Sequence, residues 1–114
     1  MKKQFNFDEF LDFVREENKL VCARCKDQGI VNETMQILAH TVKLAEELGE
    51  FSSEILINQK LVRKEKLYDN MAELRKEFAD VVIVALELAD LLNIDIKQAL
   101  LEKSEIIKAR RTTA

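Results

Sequence analysis

Apolar positions fall three, four or seven residues apart in four successive segments, and each segment opens on a capping residue. The first starts at Asn6. Glu9 completes a capping box there, and Phe5 and Phe10 are placed for a hydrophobic staple. Its stripe is Phe7, Phe10, Leu11, Val14 and Val21, and Gly29 supplies the residue that ends it. The second segment follows Asn32, carries Met35, Leu38, Val42, Ala45, Leu48 and Ile55, and is expected to reach about Lys60. Gly49 inside it costs roughly 1 kcal/mol relative to alanine, so it is either a tolerated imperfection or the mark of a close approach. Residues 61–69 break the pattern and read as a charged connection.

Asn70 and Glu73 form the capping box of a third helix, which Asn93 can end in the left-handed region. Its stretch VVIVALELADLL is apolar around most of its circumference. The β-branched run 81–84 suits a strand, but the length of the surrounding pattern decides for helix. Asp95 with Gln98 opens a fourth helix that runs to about Arg110, with a tail expected to fray from about 111. The whole chain, 1–114, reads as a single all-α, four-helix bundle-like domain. One small bundle covers only part of the third helix, which predicts a homo-oligomer, dimer or tetramer.

Composition narrows the picture further. The chain of 114 residues has no proline and two glycines, too few turn residues for a sandwich or barrel of short strands. Its net charge of −3 argues against a nucleic-acid polymer or a polybasic membrane contact as partner. Val81–Leu92 is too short to span a bilayer, and the N-terminus has no export pattern. Cys22 and Cys25 fit a reducing compartment, so the expected location is cytoplasmic. Their CxxC lacks a second ligand pair for zinc and a βαβ context for thiol exchange.

The candidate chemistry is acidic. The second helix holds Glu46, Glu47, Glu50 and Glu54 with no base among them, and Glu47, Glu50 and Glu54 share one face. The third holds Glu77 and Asp80, again one turn apart. If these helices pair antiparallel, Glu47, Glu50, Glu77 and Asp80 converge into a hard oxygen cage suited to Mg²⁺ or Mn²⁺. The competing arrangement is a solvated face on which Lys43, Lys76 or Arg75 neutralises them.

At these residues the sequence resembles a known family. EELGE at 46–50 followed by EFAD at 77–80 is similar to the Glu-Glu-x-x-Glu and Glu-x-x-Asp signature of MazG-like nucleotide pyrophosphohydrolases. They belong to the all-α nucleotide pyrophosphatase superfamily. The likeness runs from about Leu38 to Arg110, through ADVVIVALELADLLNIDIKQALLEKSEIIKAR. It implies that Glu47, Glu50, Glu77 and Asp80 ligate Mg²⁺ and that a nucleoside triphosphate is hydrolysed to its monophosphate and pyrophosphate by attack of an activated water on the α-phosphorus. It also implies phosphate contacts from Lys103 and Arg110, and a general-base or second-metal role for Glu46 or Glu54. The alternatives are a dUTPase-like or phosphoribosyl-ATP-specific activity, or a helical interaction module without turnover. The chain departs from the family at Lys76, where a second acid is frequent, and at Ile107, where an asparagine is common. It also lacks tryptophan, which leaves Phe10, Phe13 or Tyr68 to stack a base.

Beside the acids, Lys60, Arg63, Lys64 and Lys66 form a basic cluster. They are either a solvated loop or, with Lys60 foremost, a phosphate-contacting one. His40 lies two turns before Glu47 on a related face, where a packed or exposed neutral imidazole is the expectation.

Overall fold

Three of the four helix starts are closed by the side chains expected. In a computed structural model describing residues 2–113, Asn6 Oδ1 accepts from the Glu9 amide at 3.0 Å, Asn32 Oδ1 from Met35 at 2.8 Å and Asp95 Oδ1 from Gln98 at 3.0 Å. These open α1 (Phe7–Asp27), α2 (Glu33–Asn58) and α4 (Ile96–Thr113), and α3 spans Met71–Leu91. The Phe5 and Phe10 rings meet in a tilted pair, 5.3 Å between centroids, as the staple at the start of α1. Asn70 departs from expectation: it precedes α3 but does not cap it, because its side chain is drawn to Glu54 instead.

The three inner helix ends share one solution. A residue in the left-handed region follows each helix, and the next amide bonds back to a carbonyl of the last turn. Gly29 (φ 91°) sends Ile30 N–H to Cys25 O, Lys60 (φ 60°) sends Leu61 N–H to Leu56 O, and Asn93 (φ 56°) sends Ile94 N–H to Ala89 O. Lys60 has a Cβ and takes this conformation without glycine's freedom, ending α2 slightly before the expected limit. A single 3₁₀ turn, Lys64–Lys66, interrupts the connection to α3. α4 continues as helix to Thr113, past the point where fraying is expected, and Ala114 lies outside the described residues.

The described chain is all-helical, one domain, with no strand and no helix long and apolar enough to cross a membrane. α2 and α3 form the main hairpin, α1 lies across α3, and α4 has little contact with the rest. A Phe51–Phe78 ring pair, 6.0 Å between centroids, packs α2 on α3. α1 runs antiparallel to α3: Lys97, at the start of α4, bonds Asp8 at 2.8 Å, and Asn18 reaches Asp90 at 3.0 Å.

Little of the apolar surface is covered within the chain. Only Leu11, Val14, Val84 and Ile96 are buried apolar side chains among the described residues, while Phe78, Leu100, Leu101 and Ile106 are about half exposed or more. The radius of gyration is 17.5 Å, against about 13 Å for a compact domain of this length. A Cβ at Gly49 would meet nothing within 4 Å, so no close approach within this chain requires that glycine.

What the chain does bury is polar. Asn18 on α1 donates through Nδ2 to Glu87 O (3.3 Å) and Asp90 Oδ2 (3.0 Å) of α3, and its Oδ1 faces His40 Nε2 of α2 at 3.1 Å. His40 Nδ1 donates to Gln36 O at 2.8 Å. Replacing Asn18 with alanine leaves buried acceptors and a ring nitrogen without partners. It is expected to cost about 2 kcal/mol or more, read as a lower urea midpoint at unchanged m-value.

Candidate metal centre

Seven-residue spacing sets the geometry of the α2–α3 seam. His40 and Glu47 share one face of α2, Asp80 and Glu87 one face of α3, and the antiparallel pairing sets Glu47 against Asp80 and His40 against Glu87. Carboxylate oxygens of Glu47, Glu77 and Asp80 accordingly lie within 4.8 Å of one another. Glu47 is buried, Glu77 half-buried and Asp80 exposed, so the cluster runs from the seam to its mouth. Glu50 stands at its edge, within hydrogen-bonding reach of both Glu47 and Glu77.

Two observations mark this as more than a solvated acidic face. Glu47 Oε2 and Glu77 Oε2 are both buried and have no hydrogen-bond partner, a costly state for a carboxylate that no donor or cation satisfies. The charges are also crowded. The neighbouring Glu47 carboxylate is the main cause that raises the Glu50 carboxyl above its ordinary value, and burial followed by Asp80 raises Glu77. Such an all-oxygen donor set fits Mg²⁺ or Mn²⁺ and offers nothing to a soft metal.

The cations named as possible neutralisers act only in part. Lys43 Nζ pairs with Glu47 Oε1 and Glu46 Oε1, both at 3.1 Å, and those bonds raise its own pKa. Lys76 turns to Glu73 at 3.3 Å. The second oxygen of Glu47 is left without a partner.

The remaining candidates are scattered. Glu46 is exposed and tied to Lys43. Glu54 accepts from Tyr68 Oη at 3.2 Å and from Asn70 Nδ2 at 2.6 Å, so it fastens the α2–α3 connection. Lys60 lines a cavity of about 380 Å³ with Tyr68 and Asn70, adjoining Glu54. Lys103 and Arg110 lie exposed on α4, and Lys103 makes no ion pair with the four acids among the described residues. Phe10 and Phe13 line a cavity of about 410 Å³ at the start of α1, near the C-terminal end of α3 and so far from the acids; of the three candidate stacking rings only Tyr68 is near them.

Sequence reasoning missed Asn18 and Glu87, and it left open whether His40 is packed. Glu87 sits among apolar neighbours in the sequence, but Asn18 is flanked by Glu17 and Lys19, and its register with Leu11 and Val14 is the only available signal. No protein family, curated protein or solved structure matches the chain.

Raised carboxyl pKa values give the metal-free fold a defined pH response. Glu87 is pushed up to about 6, chiefly by burial and then by Glu17, and Glu50 and Glu77 are raised as well. A folded-state pKa above the unfolded value means that the folded protein holds the proton more tightly. Stability is then full below the unfolded carboxyl range and declines as pH rises through the folded values, to about 6 for Glu87. Without divalent metal, the melting temperature is expected to fall across that window. Glu50→Gln, which removes one crowded anion, is expected to raise it at pH 7 while weakening Mn²⁺ binding by calorimetry.

Proposed function

We propose that the protein is a Mg²⁺-dependent nucleoside triphosphate pyrophosphohydrolase of the MazG-like type, releasing a nucleoside monophosphate and pyrophosphate. The observation that carries the reading is the pair of buried, partnerless oxygens of Glu47 and Glu77 converging with Asp80. The resemblance of EELGE and EFAD to the family signature supplies the reaction class.

In this reading Glu47, Glu77 and Asp80 hold the ion, with Glu50 completing the set. A bound Mg²⁺, or Mn²⁺ in its place, offsets phosphate charge and lowers the pKa of a coordinated water. Glu46 and Glu54, the acids outside that set, are engaged by Lys43 and by Tyr68 with Asn70. Lys60 sits on the connection beside Glu54 and would meet the phosphates from that side.

The reading includes a homo-oligomer. The accessible surface of 8912 Å² exceeds by about 2,500 Å² what a compact monomer of this mass shows. Exposed Leu100, Leu101 and Ile106 on α4 contribute to that excess. A second copy packed on this surface is the route by which Lys103 and Arg110 would approach the phosphates.

A screen of nucleoside triphosphates with Mg²⁺ is expected to yield monophosphate and pyrophosphate in equal amounts, with no orthophosphate. Glu47→Gln should lower kcat by about 10²-fold or more with the helical spectrum unchanged. Orthophosphate release, or no turnover of any nucleotide with either metal, would sink the proposal and favour a helical interaction module. Sedimentation velocity at micromolar concentration should give a dimer or tetramer, and a stable monomer would refute the assembly.

A further inference from the structure

The seam does not end at the acids. Its next two layers, between Lys43 and His40 on α2 and between Val84 and Glu87 on α3, enclose a cavity of about 320 Å³ roofed by Val21, Arg24 and Cys25 of α1. Lys43 belongs to both places: it lines this cavity and bonds Glu47 of the acid cluster. Two helical turns separate Asp80 from Glu87, about 10 Å along α3. The cavity therefore opens beside the acids, at the distance of the next group along a bound nucleotide.

The walls and the floor differ. Val21, Ala39 and Val84 give flat apolar sides, and the buried His40 and Glu87 give a polar end. Asn18 fixes the state of that end. Its Nδ2 donates to two acceptors of α3, so Oδ1 must be the atom facing His40. Gln36 O and Asn18 Oδ1 are both acceptors, so each imidazole nitrogen faces one, and neither is turned to the Glu87 carboxylate within hydrogen-bond distance. The Glu87 carboxylate lies 3.7 Å from His40 Nε2, too far for a hydrogen bond. No donor within the described residues bonds it, although it is about nine-tenths buried. Its oxygens are not among the buried unpartnered atoms and so open onto the cavity, where they can accept from a ligand that brings N–H groups.

We propose that this cavity receives the heterocyclic base of the nucleotide, with Glu87 accepting from N–H donors on the base edge. The assignment rests on the nucleotide reading of the acid cluster and extends it to the part of the substrate that carries identity. A base has apolar faces and a polar edge, which matches the walls and the floor. Two carboxylate oxygens side by side fit adjacent N–H donors, so guanine, with its imino and amino groups in a row, is the best match among the common bases. Lys43 and Arg24 at the rim lie on the side from which the anionic phosphates extend.

His40 is the single histidine of the chain, so its imidazole gives one resolvable NMR signal at the floor of the cavity. In the presence of Mg²⁺ the full-length protein is titrated with guanosine 5′-monophosphate, its N1-methyl derivative, the other nucleoside monophosphates and ribose 5-phosphate, which has a phosphate but no base. The guanine nucleotide is expected to move the His40 signal at concentrations where ribose 5-phosphate leaves it in place, and N1-methylation should weaken binding by about 10-fold or more. Ala39→Leu, which fills the cavity with apolar atoms, should weaken nucleotide binding by a similar factor without changing Mn²⁺ affinity. Glu87→Gln should narrow the gap between the guanine nucleotide and its methylated form. If ribose 5-phosphate moves His40 equally, if Ala39→Leu leaves nucleotide affinity unchanged, or if no nucleotide reaches His40, the assignment is overturned. Pyrophosphate release is scored separately on the same samples. Base-dependent shifts without turnover would uphold the cavity and overturn the reaction, whereas turnover unaffected by Ala39→Leu would do the reverse.

Discussion

One amide side chain ties three helices together. Asn18 uses both donors of its Nδ2 on α3 and its oxygen on α2, so α1 is held against the hairpin by directed bonds in place of a broad apolar face. The interior is otherwise thin, with Leu11, Val14, Val84 and Ile96 as its buried apolar members among the described residues. Hydrophobic contact is non-directional and would let α1 slide along the seam. The Asn18–His40–Glu87 junction fixes its register, since a shift by one turn would strand several buried polar groups at once. Every site feature follows from that register: the roof over the cavity, the position of Lys43, and the mouth where the acids remain uncovered.

The two ends of the same seam are built differently. At the His40 end, the Glu87 carboxylate lies 3.7 Å from the imidazole, and its backbone carbonyl accepts from Asn18. At the acid end, Glu47, Glu50, Glu77 and Asp80 face one another, and Lys43 answers only one oxygen of one of them. A fold under selection for stability alone would place a basic residue or an apolar one at Glu77. In the proposed reading, the unpaired buried oxygens of Glu47 and Glu77 exchange stability for affinity toward a cation.

The sequence made most of the local structure legible, and the physical reason is proximity. Asn6, Asn32 and Asp95 cap amides three residues away, Gly29 and Asn93 take φ values that their side chains permit, and the staple joins Phe5 to Phe10; none of these needs knowledge of the tertiary fold. Asn70 shows where such reasoning stops. Its spacing to Glu73 is that of a capping box, yet Glu54, sixteen residues earlier, offers a carboxylate at 2.6 Å and a carbonyl at 2.8 Å and wins the amide. A charged acceptor outcompetes a neutral backbone group, and no local pattern reveals it. The acid pairs were legible for the opposite reason: helical periodicity fixes which carboxylates share a face, and antiparallel pairing of adjacent helices is the simplest way to join them. Lys103 and Arg110 were assigned by resemblance, and α4, which carries them, has little contact with the hairpin that holds the acids.

That departure and the thin core have one cause. α3 is apolar around most of its surface, and α1 and α2 cover only part of it; α4 leaves the rest uncovered and presents Leu100, Leu101 and Ile106 outward. At about 25 cal/mol per Å², leaving such surface in water forfeits far more than the marginal stability of a domain this small. Polar junctions cannot make up the difference, because their net contribution is about 1 kcal/mol per bond. The proposed assembly covers that area with a second copy of the same chain, the partner always present at equal concentration. In the proposed assembly, the contacts that complete the core would also carry the cations of α4 toward an acid cluster that its own subunit leaves uncompensated, so that folding, assembly and phosphate binding would draw on the same helix.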